Sequence, residues 1–118
     1  MNADLPPQIK NQLAQLQQIQ QQAQAIAVQK NQVEITLKET DLALEELEKL
    51  DEDAVVYRAI GDLMIKTGRD KTRDSLKEKK DTLDLRMQTL ARQEERAQTR
   101  FQQLQEQLKQ AVGTPGAQ

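Results

Sequence analysis

The 118-residue chain contains no histidine and no cysteine. That removes imidazole acid–base chemistry, thiol nucleophiles, disulfides and most zinc sites together. The remaining candidates for chemistry are carboxylates, one serine and a few glycines. Glu45-Glu46 and Glu94-Glu95 are paired acids, but sequential neighbours on a helix point away from each other and share no site. Ser75 has no histidine to activate it. Gly61 and Gly68 stand alone and read as turn residues, and no glycine-rich phosphate loop is present, so no cofactor is implied. Asp and Glu alone can hold a metal, but nothing in the spacing of the acids suggests such a site. The expected role is therefore non-enzymatic, with no catalytic residue and no metal, and the side chains left to carry function are the apolar ones.

Composition bounds that role. Tyr57 and Phe101 are the only aromatics, and there is no tryptophan. A compact globule of this size normally needs more large apolar side chains to offset chain entropy. A net charge of −2 and a pI near 5.2 argue against nucleic acid as the main partner. No apolar run reaches the roughly 20 residues of a membrane span, and no signal peptide is visible. The absence of cysteine suits a reducing compartment, so a cytoplasmic location is expected.

Two periodic stretches must position the apolar residues. Asp4 can cap a helix whose first turn holds Pro6 and Pro7, and residues 8–52 contain no glycine or proline. A heptad frame from Ile9 runs through Gln12, Leu16, Ile19, Ala23, Ile26, Lys30, Val33, Leu37, Thr40, Leu44 and Leu47; nine of these twelve are apolar, which makes a coiled-coil seam. Leu5, Leu13 and Val28 fall outside it. Residues 70–112 carry a second frame: Arg73, Leu76, Lys80, Leu83, Met87, Leu90, Glu94, Ala97, Phe101, Leu104, Leu108 and Ala111, again with nine apolar. Each helix would be about 65 Å long. Residues 113–118 end the second helix as a flexible tail. Between the helices, residues 55–68 are the one β-rich stretch. Gly61-Asp62 suits a II′ hairpin turn, which pairs Ile60 with Leu63, Arg58 with Ile65 and Val56 with Thr67. Val56, Ile60, Leu63 and Ile65 then share one face; Tyr57, Ala59 and Met64 share the other. A plain helix–loop–helix turn is the alternative.

Charge points to a fold-back. Residues 31–54 hold nine acids against Lys38 and Lys49, and residues 69–80 hold six bases against three acids. Both arrangements oppose the helix macrodipole, and an antiparallel hairpin sets one beside the other. An ordinary solvated charge run would look the same in sequence. A fold-back about Gly61-Asp62 pairs residues whose numbers sum to about 123 or 124, so Lys30 meets Glu94, Ala23 meets Phe101 and Ile26 meets Ala97, with three-residue offsets allowed. At the free tips the charge thins out: residues 8–32 contain eleven glutamines and two lysines.

The run LPPQIKNQLAQLQQIQQQAQAI, followed by VYRAIGDLMIK and SLKEKKDTLDLRMQTLARQEERAQ, resembles the β subunits of prefoldin, archaeal in type. The likeness covers nearly the whole chain. Its most specific part is Val56-Tyr57-Arg58-Ala59-Ile60-Gly61 with Leu63-Met64-Ile65-Lys66. It implies a mainly α fold: a long antiparallel coiled-coil hairpin whose β-hairpin connector assembles into an intersubunit β-barrel, in one domain. It also implies an ATP-independent chaperone, a hexamer of two α and four β subunits, that holds unfolded clients at its tips and passes them to a group II chaperonin. Assembly is expected through Val56, Tyr57, Ile60, Leu63, Met64 and Ile65. Client binding is expected at Leu5, Ile9, Leu13, Leu16, Leu104, Leu108 and Val112, although seam packing alone explains Ile9, Leu16, Leu104 and Leu108. A structural coiled-coil tether and a nucleic-acid-binding helical arm are the alternatives. The first gives no reason for a β-rich connector, and the second wants a basic tip.

Overall fold

Two helices and one β-hairpin follow one another as α1 (Pro7–Glu48), β1 (Val55–Ile60), β2 (Leu63–Gly68) and α2 (Arg69–Gly113), in a computed structural model that describes residues 5–113. Asp4 and residues 114–118 lie outside the described residues. Pro7 takes the first helical position, where its missing N–H costs nothing, and the Pro6 carbonyl accepts from the Lys10 amide at 3.1 Å. No helix among the described residues is long and apolar enough to cross a membrane.

The chain divides into two compact units, one made of the residues up to Lys30 and from Thr89 onward, the other Asn31–Gln88; both helices contribute to each. In the first, Ile9, Leu90, Ala97 and Leu104 are buried, with Leu16, Ile19, Ala23, Ile26, Phe101 and Leu108 half-buried beside them. In the second, Val33, Thr40 and Leu47 are buried, with Leu37, Leu44, Leu76, Leu83 and Met87 half-buried. Every buried residue falls in the two heptad frames. Of the frame positions, only Ala111 is exposed. Leu90 and Leu104, each 2 % exposed, contribute most per side chain, about 1.5–3 kcal/mol each for full burial. Thr40 is the one buried polar residue among those described; its hydroxyl donates to the Thr36 carbonyl at 2.7 Å, so that donor is satisfied within the seam.

The first helix stops at Glu48, earlier than the expected 52. The Lys49 and Leu50 amides donate back three residues, to Glu46 and Leu47, which tightens the last turn into 3₁₀ form. Asp51, Glu52 and Asp53 follow, and three acids at a helix C-terminus oppose its macrodipole. Arg69 then crosses from the start of α2 and donates through Nη1 to the Leu50 carbonyl at 2.8 Å, satisfying a group that the helix end leaves open.

The hairpin has the expected antiparallel register: Ile60 opposite Leu63, Arg58 opposite Ile65, Val56 opposite Thr67. Gly61 has φ +57°, and no non-glycine residue among those described has positive φ. Positive φ at the first turn residue alone is what a II′ turn requires.

Candidate assembly and client-binding surfaces

The hairpin is a two-stranded sheet whose apolar side chains are left open on both faces. Ile60, Leu63 and Ile65 on one face, and Val55, Tyr57 and Met64 on the other, are between 44 % and 66 % exposed; Val56 is half-buried. The outer edges of β1 and β2 add unpaired backbone donors and acceptors. A lone hairpin of this kind is marginal in water, and its open edges recruit further strands. Covering the remaining area of each large side chain is worth on the order of 1 kcal/mol.

The seven residues expected at the tips separate into three groups. Ile9 and Leu104 are buried in the seam, Leu16 and Leu108 are half-buried, and Leu5, Leu13 and Val112 are exposed. Periodicity had already set the last three apart. Gln12, a polar residue in the frame, has its Oε1 buried with no hydrogen-bond partner, which weakens the seam locally. Leu108 and Val112 also line a shallow depression with Gln102, Gln105 and Lys109.

One surface escaped the sequence reading. In the first unit, Ile19, Ile26 and Ala97 floor a groove of about 780 Å³ whose rim carries Gln22, Gln93, Arg96 and Arg100. Its cause is visible in sequence afterwards: Ala25 and Ala97 line it and leave space that larger side chains would fill.

Ion pairs hold the register inside each unit. Lys30 and Glu94, both interrupting apolar seams, meet at 2.9 Å, the pairing expected from the fold-back. Asp41 and Lys80 meet at 2.8 Å, linking the acidic part of α1 to the basic start of α2. The Asp41 hydrogen bond and charge raise the Lys80 ammonium above its ordinary pKa, with smaller help from Asp84 and Asp81. The hydrogen bond from Arg69 lowers the Asp70 carboxyl, and the charges of Arg69 and Arg73 act in the same direction. Asp70 also sits in the first turn of α2, where a negative charge is favoured.

The chain is similar in sequence and fold to known proteins. A family model described as prefoldin subunit matches residues 10–114. The prefoldin subunit beta of Methanococcoides burtonii is 63 % identical over 98 % of this chain and 99 % of its own. That of Pyrococcus furiosus is 40 % identical over 97 % of each chain. The crystal structure of the prefoldin beta subunit from Thermococcus strain KS-1 matches with a TM-score of 0.86 at 41 % identity, covering 95 % of this chain and 98 % of the other. With the heptad frames, the II′ hairpin and its open apolar faces all accounted for, the chain belongs to the prefoldin subunit family, among its β subunits.

Proposed function

We propose that this chain is a subunit of an ATP-independent holdase, a cytoplasmic hexamer of two α and four β subunits. It captures unfolded polypeptides at its coiled-coil tips and passes them to a group II chaperonin. The observation that carries the reading is the hairpin with apolar side chains uncovered on both faces. Such an element is useful only when strands of other subunits complete it, through Val56, Tyr57, Ile60, Leu63, Met64 and Ile65 in a shared barrel. A tether has no need of it. A nucleic-acid arm would want a basic tip, and residues 8–32 carry only Lys10 and Lys30.

Client capture falls to Leu5, Leu13 and Val112, which are exposed as they stand. Fraying of the tip adds Leu16 and Leu108, and fuller opening adds Ile9 and Leu104. Sparse charge and the unpartnered Gln12 Oε1 lower the cost of that opening. Weak apolar patches on several subunits bind one unfolded chain by multivalency, and they ignore folded proteins, which have no exposed apolar segments to offer. The test is the triple variant Leu5→Ser, Leu13→Ser and Val112→Ser, assembled with α subunits. The expected result is an unchanged oligomer mass and a several-fold loss in suppression of aggregation of an unfolded client. Full activity in that assembly would move the client site elsewhere.

A further inference from the structure

Val28, Ile35 and Leu42 recur at seven-residue intervals, and none belongs to the seam. Within Asn31–Gln88, Ile35 is 50 % and Leu42 59 % exposed. Each follows a buried seam residue, Val33 or Thr40, by two positions, which at 100° per residue carries it to the far side of α1. An apolar residue there does nothing for the coiled coil, whose outer positions are ordinarily polar.

Acids outnumber bases around the two side chains: Lys38, three residues after Ile35 and four before Leu42, is the one base at those spacings. Glu39 lies four residues after Ile35, and Glu45 and Glu46 lie three and four after Leu42. At those spacings they stand beside the apolar side chains on the helix surface. The acidic run of α1 is only partly neutralised from within. Asp41 pairs with Lys80 and Glu46 with Lys49, whereas Glu34, Glu39 and Glu45 enter no ion pair among the described residues. Lys38 is the one base between 31 and 48.

We infer that the outer face of α1 around Ile35 and Leu42 docks a basic amphipathic helix of a partner protein. Its apolar residues, one heptad apart, seat on Ile35 and Leu42, and its lysines or arginines meet Glu39 and Glu45. A second copy of this chain is a poor occupant. Within Asn31–Gln88, Leu85 is the exposed large apolar residue of α2, and Asp81 is the one charged residue three or four positions from it, so acid would face acid. The surface shares no residue with the hairpin or the tips, and the inference stands apart from the holdase reading.

The experiment uses the full chain assembled with α subunits and a labelled three-heptad helical peptide, with leucine at every seventh position and lysines three and four residues after each. An otherwise identical peptide carries glutamate for lysine. Binding is followed by fluorescence anisotropy, and the site by methyl NMR. The basic peptide should bind, shift the Ile35 and Leu42 methyls, and weaken with added salt. Glu39→Gln with Glu45→Gln should weaken it about tenfold, and Ile35→Ser with Leu42→Ser should abolish it. All four positions are exposed, so helicity by circular dichroism should be unchanged, as should aggregation suppression. Three results would overturn the inference: no binding of the basic peptide, equal binding of the two peptides, or shifts at Leu5, Leu13 and Val112 in place of Ile35 and Leu42. A wild-type assembly that fails to suppress aggregation would sink the holdase reading and leave this assay untouched.

Discussion

Replacing Ile60 and Leu63 together by aspartate separates assembly from folding. The two residues face each other across the turn and are 49 % and 64 % exposed in the single chain. Within the chain, then, roughly half or less of each side chain's burial is at stake, and the hairpin register is held by backbone bonds that the substitution leaves in place. In an assembly that covers both, the lost apolar burial comes to about 2–3 kcal/mol per hairpin. Two carboxylates forced out of water add several kcal/mol more. A total of roughly 5 kcal/mol weakens association by about three to four orders of magnitude. The assay is native mass measurement of the mixture with α subunits, alongside far-ultraviolet circular dichroism. The expected outcome is monomers or small complexes of unchanged helicity. Leu85→Asp, at a residue 65 % exposed on α2, serves as the control and should leave the mass intact. An oligomer of wild-type mass from the double variant would show that the hairpin is not the interface.

Three further outcomes follow from the packing. Lys30→Glu should lower the melting temperature, and adding Glu94→Lys should recover it, with a coupling of about 0.5–1 kcal/mol that shrinks in high salt, because both side chains keep about a third of their surface in water. Leu104→Ala, at a position 2 % exposed, should cost about 2–4 kcal/mol in denaturant unfolding, against less than about 0.5 for Val112→Ala. Gly61→Ala should destabilise the hairpin by about 1 kcal/mol. A Cβ there meets nothing within 4 Å, so the whole effect comes from φ +57°; hydrogen exchange of the Arg58 and Ile65 amides reads it.

The one-dimensional pattern of this protein was legible because its folding rules are local. Heptad spacing selected the seam, down to Val33, Thr40, Leu47, Leu90, Ala97 and Leu104. The glycine of Gly61-Asp62 selected the turn, and the turn set the strand register. Hairpin geometry then brought Lys30 to Glu94. Other features depend on how side chains meet once helices pair. The seam buries Ile9 and Leu104 and leaves Leu13 and Val112 open, which periodicity could rank but not measure, since exposure depends on the partner helix. The groove over Ile19 and Ile26 exists because small residues from both helices fall at one level, a coincidence of register that neither helix carries alone. The end of α1 was decided by tertiary contact as well: the run to Glu52 has no breaker, and the chain turns at Glu48 where tightened amide bonds and Arg69 satisfy the carbonyls that a longer helix would have kept.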